Sequence, residues 1–272
     1  MECAASIIIT TYNRPDALRL VLLALTAQTV CNFEVIVADD GSNVDTRLML
    51  ENLQITLDYP LHHIWQTDDG FRAATIRNKA VAVSKGEYLI FLDGDCVPRP
   101  SFVKRHLALA EEGKFVAGNR VLLKENFSRL ILAEDELIYQ WYGFDWLLAR
   151  LSGRCNRFLP FFDFPTPRSL RKNKWEGVKT CNLGMFKGSF LVVNGFDERY
   201  CGWGYEDSDL IIRLLRFGMK RKDGYGAVAV AHLWHPYIDR AREKINYQQL
   251  REIRRSPQVK AARGVDQYLG TE

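Results

Sequence analysis

The sequence predicts a doubly wound α/β domain, a mostly parallel sheet with helices on both faces, and three observations carry that prediction. Short β-branched runs alternate with segments of helical spacing over residues 6–92. Each run stops at a cluster of polar residues. Of the 272 residues 47% are apolar, enough for one large core.

"SIII" (6–9), "FEVIVA" (33–38) and "YLIFL" (88–92) read as parallel strands buried on both faces, because no polar residue punctuates them regularly. "LHHIW" (61–65) is a weaker strand. Between the first two, "PDALRLVLLALTAQ" (15–28) opens with Pro15 after Asn13 and keeps apolar residues at helical spacing. "RAATIRNKAVAVSKG" (72–86) does the same and closes on Gly86, an expected helix stop. After Pro98 and Pro100 a helix is expected to about Glu112, then an amphipathic stretch from Ser128 to Arg150. Periodicity fails over 152–180, where Pro160, Pro165 and Pro167 mix with aromatic and basic residues, so this segment is expected to be a mobile or substrate-contacting loop. "DLIIRLLRFG" (209–218) reads as a helix ending at Gly218, and "AVAVAHLW" (227–234) as a strand that carries His232 and leads to His235. There is no internal repeat.

The formal charge of +4 is too small to argue for nucleic acid, and no recognition motif accompanies it. The charge is unevenly spread. Between Arg150 and Lys174 seven basic residues face one acid, Asp163, and from Asp239 to Arg263 eight face three. Solvated surface explains such runs; docking on anionic lipid is the functional alternative. Six scattered cysteines without a C-x-x-C pair read as reduced thiols of a cytosolic chain. "MECAASIIIT" does not read as a secretory signal, and no apolar stretch approaches the ~18 residues of a membrane span. The expectation is a soluble chain or one held peripherally on the inner face of a plasma membrane.

Candidate chemistry lies at the strand ends, where doubly wound sheets bind ligands. They carry "TTYNR" (10–14), "DDGS" (39–42) and "DGD" (93–95). Two carboxylates separated by one glycine can hold a hard divalent cation and leave positions open for a diphosphate. Neither G-x-x-x-x-G-K-[ST] nor G-x-G-x-x-G is present, so metal is expected to do what phosphate-binding loops do elsewhere. A second acidic cluster, Glu206, Asp207 and Asp209, follows "GWGY" (202–205). Taken singly, each feature has a bland account: an Asp-Gly turn, a solvated Arg72, satisfied strand-end histidines, acids favoured at a helix start.

Taken together, "SIIITTYNRPDALRLVLLALTAQTVCNFEVIVADDGS" and "FRAATIRNKAVAVSKGEYLIFLDGDCVPRPSFV" resemble the family-2 glycosyltransferases of the GT-A fold. "GSFLVVNGFDERYCGWGYEDSDLIIRLLRFG" is similar to the galactosyltransferase-type acceptor module of chondroitin-polymerase-like enzymes. The resemblance covers roughly residues 5–118 and 180–236. It implies a nucleotide-sugar-binding half (1–118) and an acceptor-binding half with the catalytic base (180–236); the variable helix and basic, aromatic loop (119–179) and the basic tail (237–272) fall outside it. It further implies that Thr11, Tyr12, Arg14, Asp40, Arg72, Asp93 and Gly94 contact the donor, with Asp40 at the uracil edge. Asp95, His235 and His232 would hold Mn²⁺ or Mg²⁺, and Trp203, Gly204 and Glu206 the acceptor. Asp207 would be the general base of an inverting transfer from a UDP-sugar to a glycan or lipid-linked glycan, as in surface polysaccharide or lipopolysaccharide synthesis. Two rivals stay open on sequence: another metal-dependent enzyme of activated phosphates, and a non-catalytic sugar-nucleotide or polysaccharide-binding module.

Overall fold

Ile7, Ile8 and Ile9 are all fully buried, which requires a strand covered on both faces. In the computed structural model, which describes residues 3–162, 167–236 and 239–270, they lie in β1 (Ala5–Thr11). The order continues α1 (Pro15–Thr26), β2 (Phe33–Asp39), α2 (Val44–Gln54), β3 (Leu61–Trp65), α3 (Ala73–Val83), β4 (Tyr88–Asp93) and β5 (Cys96–Pro98). There follow α4 (Phe102–Leu109), β6 (Lys114–Ala117), β7 (Arg120–Leu122), α5 (Glu125–Ala133), α6 (Gly143–Leu151) and β8 (Asn182–Phe186). α7 (Lys187–Val192), α8 (Glu206–Arg216), β9 (Lys220–Asp223), β10 (Val230–His232) and α9 (Glu243–Arg255) complete it.

The main sheet has the order β3-β2-β1-β4-β8-β6-β9. Only β8 runs against its neighbours β4 and β6; the other pairings are parallel. Alternate residues of each central strand feed opposite cores. Ile7, Ile9, Ile90 and Leu92 pack with α1 and α4, whereas Ile8, Phe91 and Leu89 pack with α3, α7 and α8. Burying each such side chain stabilises the fold by roughly 1.5–3 kcal/mol. A small second sheet, β5-β10-β7, stands beyond the carboxyl end of β4.

Several elements differ from the sequence expectation. α3 stops at Val83, and Gly86 is not its cap: a Cβ there would fall 2.5 Å from the backbone of Ala5 and Ser6, so glycine is required by close approach to β1. The stretch 128–150 is broken. α5 ends where Asp135 adopts φ 51°, a single 3₁₀ turn covers Ile138–Gln140, and α6 starts afresh. The helix after Pro100 ends at Leu109, and the strand read over 227–234 shortens to β10.

Within 152–180, residues 163–166, including Asp163 and Pro165, lie outside the described residues. The described remainder is tied down. Phe161 stacks on Trp146 with ring centroids 4.0 Å apart, and Arg99 donates to its carbonyl. Arg168 donates to the Asp223 and Tyr225 carbonyls, and Arg171 pairs with the Asp223 carboxylate. The basic residues that suggested a loose segment therefore partly serve as its anchors. The basic stretch after 239 is likewise ordered: Leu250 and Ile253 of α9 pack on Ile212 of α8. All six cysteines are free thiols, and among the described residues no helix is long and apolar enough to cross a membrane.

Candidate active site

The ends of β1, β2 and β4 meet as the alternation requires. The Asp40 amide donates to Thr11 O and the Gly94 amide to Thr10 O, locking "DDGS" and "DGD" onto "TTYNR". A Cβ on Gly94 would lie 3.2 Å from the Thr11 side chain, so glycine lets the two loops touch.

Arg77, buried on α3, organises the crevice. Its Nε donates to Thr10 Oγ1 at 2.8 Å. Its Nη2 lies 3.4 Å from Asp93 Oδ1, and its Nη1 3.3 Å from Glu206 Oε1 and 3.8 Å from Asp207 Oδ1. Burial works against the guanidinium charge, but Asp207, Asp93 and Glu206 outweigh it and hold its pKa above the usual arginine range. The acids of the β4 end and of the α8 start are thus two walls of one crevice. Sequence reading passed over Arg77, although the signal was there. It falls on the stripe of Ala73, Ile76 and Ala80, and a charge in an apolar stripe demands acidic partners.

Asp95 forms the second centre. Its carboxylate lies 3.5 Å from His232 Nε2, 3.8 Å from His235 Nε2 and 3.9 Å from Arg14 Nη1. One ligand atom from each of Asp95, His232 and His235 lies within 4.8 Å of the others. Burial first, then Arg120, push the His232 pKa down to about 3, so the ring is neutral and has a lone pair to give. His235 Nδ1 lies 2.7 Å from Pro236 O, which can only accept; the proton sits on Nδ1 and Nε2 is left as the ligand atom. This oxygen and imidazole donor set fits a Mn²⁺-type cation. Asp93, Cys96 and Cys181 form a second such group, whose thiols suit softer metals.

Asp40 sits at the other end. Burial raises its pKa, while Gln66 Nε2 and the Arg72 amide each donate to one of its oxygens. The Arg72 guanidinium turns to Thr67 O and Asp69, and exposed Tyr12 donates to Asp68. An open cavity of about 660 Å³ is lined by Trp65, Gln66, Thr67, Asp68, Arg72 and Lys79. Two of its lining residues, Gln66 and Arg72, are the ones that hold Asp40.

On the α8 side, Gly202 (φ 77°), Gly204 (φ 108°) and Tyr205 (φ 75°) are left-handed, and α8 begins immediately after them. Asp207 Oδ1 accepts from Thr180 Oγ1 at 2.6 Å. Burial first, then Asp207, push the Glu206 pKa up to about 7. Trp203 lies under the Arg240 guanidinium, 4.2 Å from its ring centre. Asp209 pairs with Arg213 in the core and belongs to packing, not to the crevice. A second residue missed in the sequence is Asn246 of α9. Its side-chain amide donates to the Cys201, Gly202 and Trp203 carbonyls at 3.1–3.3 Å.

Residues 6–187 match the profile described as glycosyl transferase family 2. The chain belongs to this family. Residues 166–246 also match the profile described as the N-terminal domain of galactosyltransferase, the half in which this glycosyltransferase carries Glu206 and Asp207. It is 30% identical to the hyaluronan synthase of Pasteurella multocida over 237 residues, covering 78% of this chain and 23% of that one. It is 27% identical to the chondroitin synthase of Escherichia coli, covering 82% and 34%. The glycosyltransferase therefore spans a quarter to a third of the length of these relatives. The structure of S. aureus TarS 1-349 in complex with UDP-GlcNAc superposes with a TM-score of 0.65 at 16% identity, covering 97% of this chain and 69% of that one. The fold is GT-A, as the sequence blocks implied.

Proposed function

We propose that this glycosyltransferase moves a hexosyl or N-acetylhexosaminyl group from a UDP-sugar to a hydroxyl of a glycan or lipid-linked glycan, with inversion at the anomeric carbon. The Arg77 bridge carries the reading, because it sets the strand-end acids against the helix-start acids across one crevice. The donor lies along Thr11, Tyr12, Arg14, Asp40, Arg72, Asp93 and Gly94. UDP-GlcNAc in the TarS complex supports UDP as its nucleotide. The relatives named hyaluronan and chondroitin synthase support polysaccharide synthesis; its assignment to surface polysaccharide or lipopolysaccharide is part of the proposal.

Asp95, His232 and His235 would hold Mn²⁺ or Mg²⁺, which supplies positive charge where the diphosphate leaves. The remaining chemistry belongs to the chain. A sugar hydroxyl is a poor nucleophile at neutral pH and needs a base within hydrogen-bond reach. Thr180 Oγ1 and Arg77 Nη1 both approach Asp207 on Oδ1, so Oδ2 is the oxygen assigned to take the proton. Glu206, with its pKa near 7, keeps a proton part of the time and donates it in a hydrogen bond to an acceptor oxygen. Trp203 packs against a sugar face, and Gly204 lets the backbone approach it. One base and one in-line displacement turn an α-linked donor into a β-glycoside.

The test pairs two variants. Asp207→Asn is expected to lose transfer by at least about 100-fold while its UDP affinity stays within about twofold of the parent. Asp95→Ala is expected to lose the strengthening of UDP binding by Mn²⁺. Calorimetry with and without Mn²⁺, and mass-spectrometric screening of a nucleotide-sugar panel against candidate acceptors, read both. Transfer surviving in Asp207→Asn removes the base, and UDP affinity indifferent to Mn²⁺ in the parent removes the metal.

A further inference from the structure

We propose that α6 lays its outer face into the surface of an anionic lipid bilayer. This helix is apolar on two sides. Its inner side is spent: Trp146 and Ala149 are buried, with Trp146 wedged between Trp141 and Phe161. Its outer side carries Phe144, Leu148 and Leu151 at i, i+4 and i+7, and they are 66%, 49% and 75% exposed. Tyr142, 81% exposed, extends the stripe past the helix start. Three large apolar side chains in helical register, each about half exposed or more among the described residues, mark a face built to be covered.

The charge at the C-terminal end of the stripe says by what. From Arg150 to Arg157 the chain carries three arginines and no acid, and all three are exposed. The one acid of α6, Asp145, is occupied by capping, since Tyr142 N donates to it at 2.8 Å. Arg157 donates to Arg120 O, and Arg154 lies over the Phe127 ring, so the basic rim is held in place. An apolar stripe with an aromatic residue at one end and an arginine rim at the other matches the acyl boundary and headgroups of an anionic leaflet. The sequence pointed to the basic loop 150–175 and the tail for such a contact. The structure narrows it to α6 and the first arginines of that loop, Arg150, Arg154 and Arg157, since Arg168 and Arg171 further along hold Asp223 and its neighbours.

The face is coupled to the crevice. Cys155 bridges to Leu123, whose amide donates to the carbonyl of His232. Docking here deepens the transferase reading by supplying the surface that presents a lipid-linked acceptor. Only that consequence rests on the reading; lipid binding itself does not.

Co-sedimentation with vesicles tests it. The chain is expected to bind vesicles of phosphatidylcholine mixed with phosphatidylglycerol, to bind pure phosphatidylcholine at least about tenfold more weakly, and to release as salt rises. The triple variant Phe144→Ser, Leu148→Ser, Leu151→Ser is expected to lose at least about tenfold in binding to the mixed vesicles. Its melting temperature should stay near the parent's, because all three side chains are about half exposed or more, and Arg150→Glu should weaken binding in the same direction. Equal binding to both vesicles, undiminished binding by the triple variant, or a parent dimer that this variant turns into a monomer without any lipid affinity would each overturn the proposal. Parallel UDP calorimetry keeps the two readings apart, since a parent that binds vesicles but not UDP sinks the transferase reading alone.

Discussion

Glu206 is held in a state that its ordinary chemistry resists. Burial and the neighbouring Asp207 move its pKa from 4.5 up to about 7. Between those values the folded chain keeps a proton that the unfolded chain has released. The folded state then binds more protons, so stability falls as pH rises through that window. Glu206→Gln, which is neutral at every pH, is therefore expected to be more stable than the parent by about 2–3 kcal/mol at pH ~8. The gain should vanish towards pH ~3.5, where the parent carboxyl is protonated in both states. Denaturant melts at the two pH values check this, and an equal difference at both would show that Glu206 does not titrate as described. The acids and histidines were legible as residue types because strand ends and helix starts are where chemistry concentrates. Their titration was not, since it depends on burial and on Asp207 and Arg77 in space.

At the scale of elements, α9 acts on the loop in front of α8. Asn246 feeds two side-chain N–H groups to three successive carbonyls, and Arg242 adds a bond to Cys201 O. A loop with three left-handed residues has few bonds of its own, so this clamp fixes where Trp203 and Gly204 stand. Asn246→Ala is expected to cost about 1–3 kcal/mol and to speed hydrogen exchange at the amides of 202–205 at least about tenfold. Exchange in α3 and β4, and UDP affinity, should stay near the parent values. Unchanged exchange at 202–205 would remove the clamp. Sequence reading saw only a basic tail here, because its charges mask a stripe of Asn246, Leu250 and Ile253 at i, i+4 and i+7. The strands β1, β2 and β4 were readable almost to the residue, since parallel strands buried on both faces are largely apolar runs. The break at Asp135 was not, because it rests on one left-handed residue inside an otherwise continuous periodicity.

Across the whole molecule, Arg77 links segments more than a hundred residues apart in sequence. It is the one charge that Asp93, Glu206 and Asp207 share among the described contacts. Arg77→Gln is expected to lower unfolding stability by about 3 kcal/mol, because three carboxylates then crowd together without it. A guanidinium chloride melt showing less than ~1 kcal/mol of loss would mean that the halves do not depend on it. The halves themselves were legible as two sequence blocks; what joins them was not, since no local pattern states which helix arginine meets which distant acids. The seclusion of those acids has a chemical corollary. Glu206 and Asp207 are only 7% and 9% exposed, so bulk solvent scarcely reaches them. Water is the most abundant rival to a sugar hydroxyl, and an acid with so little open surface meets few passing molecules of it until an acceptor's own contacts carry a hydroxyl to it. On the proposed reading, an activated sugar waiting in the crevice is spared wasteful hydrolysis until an acceptor arrives.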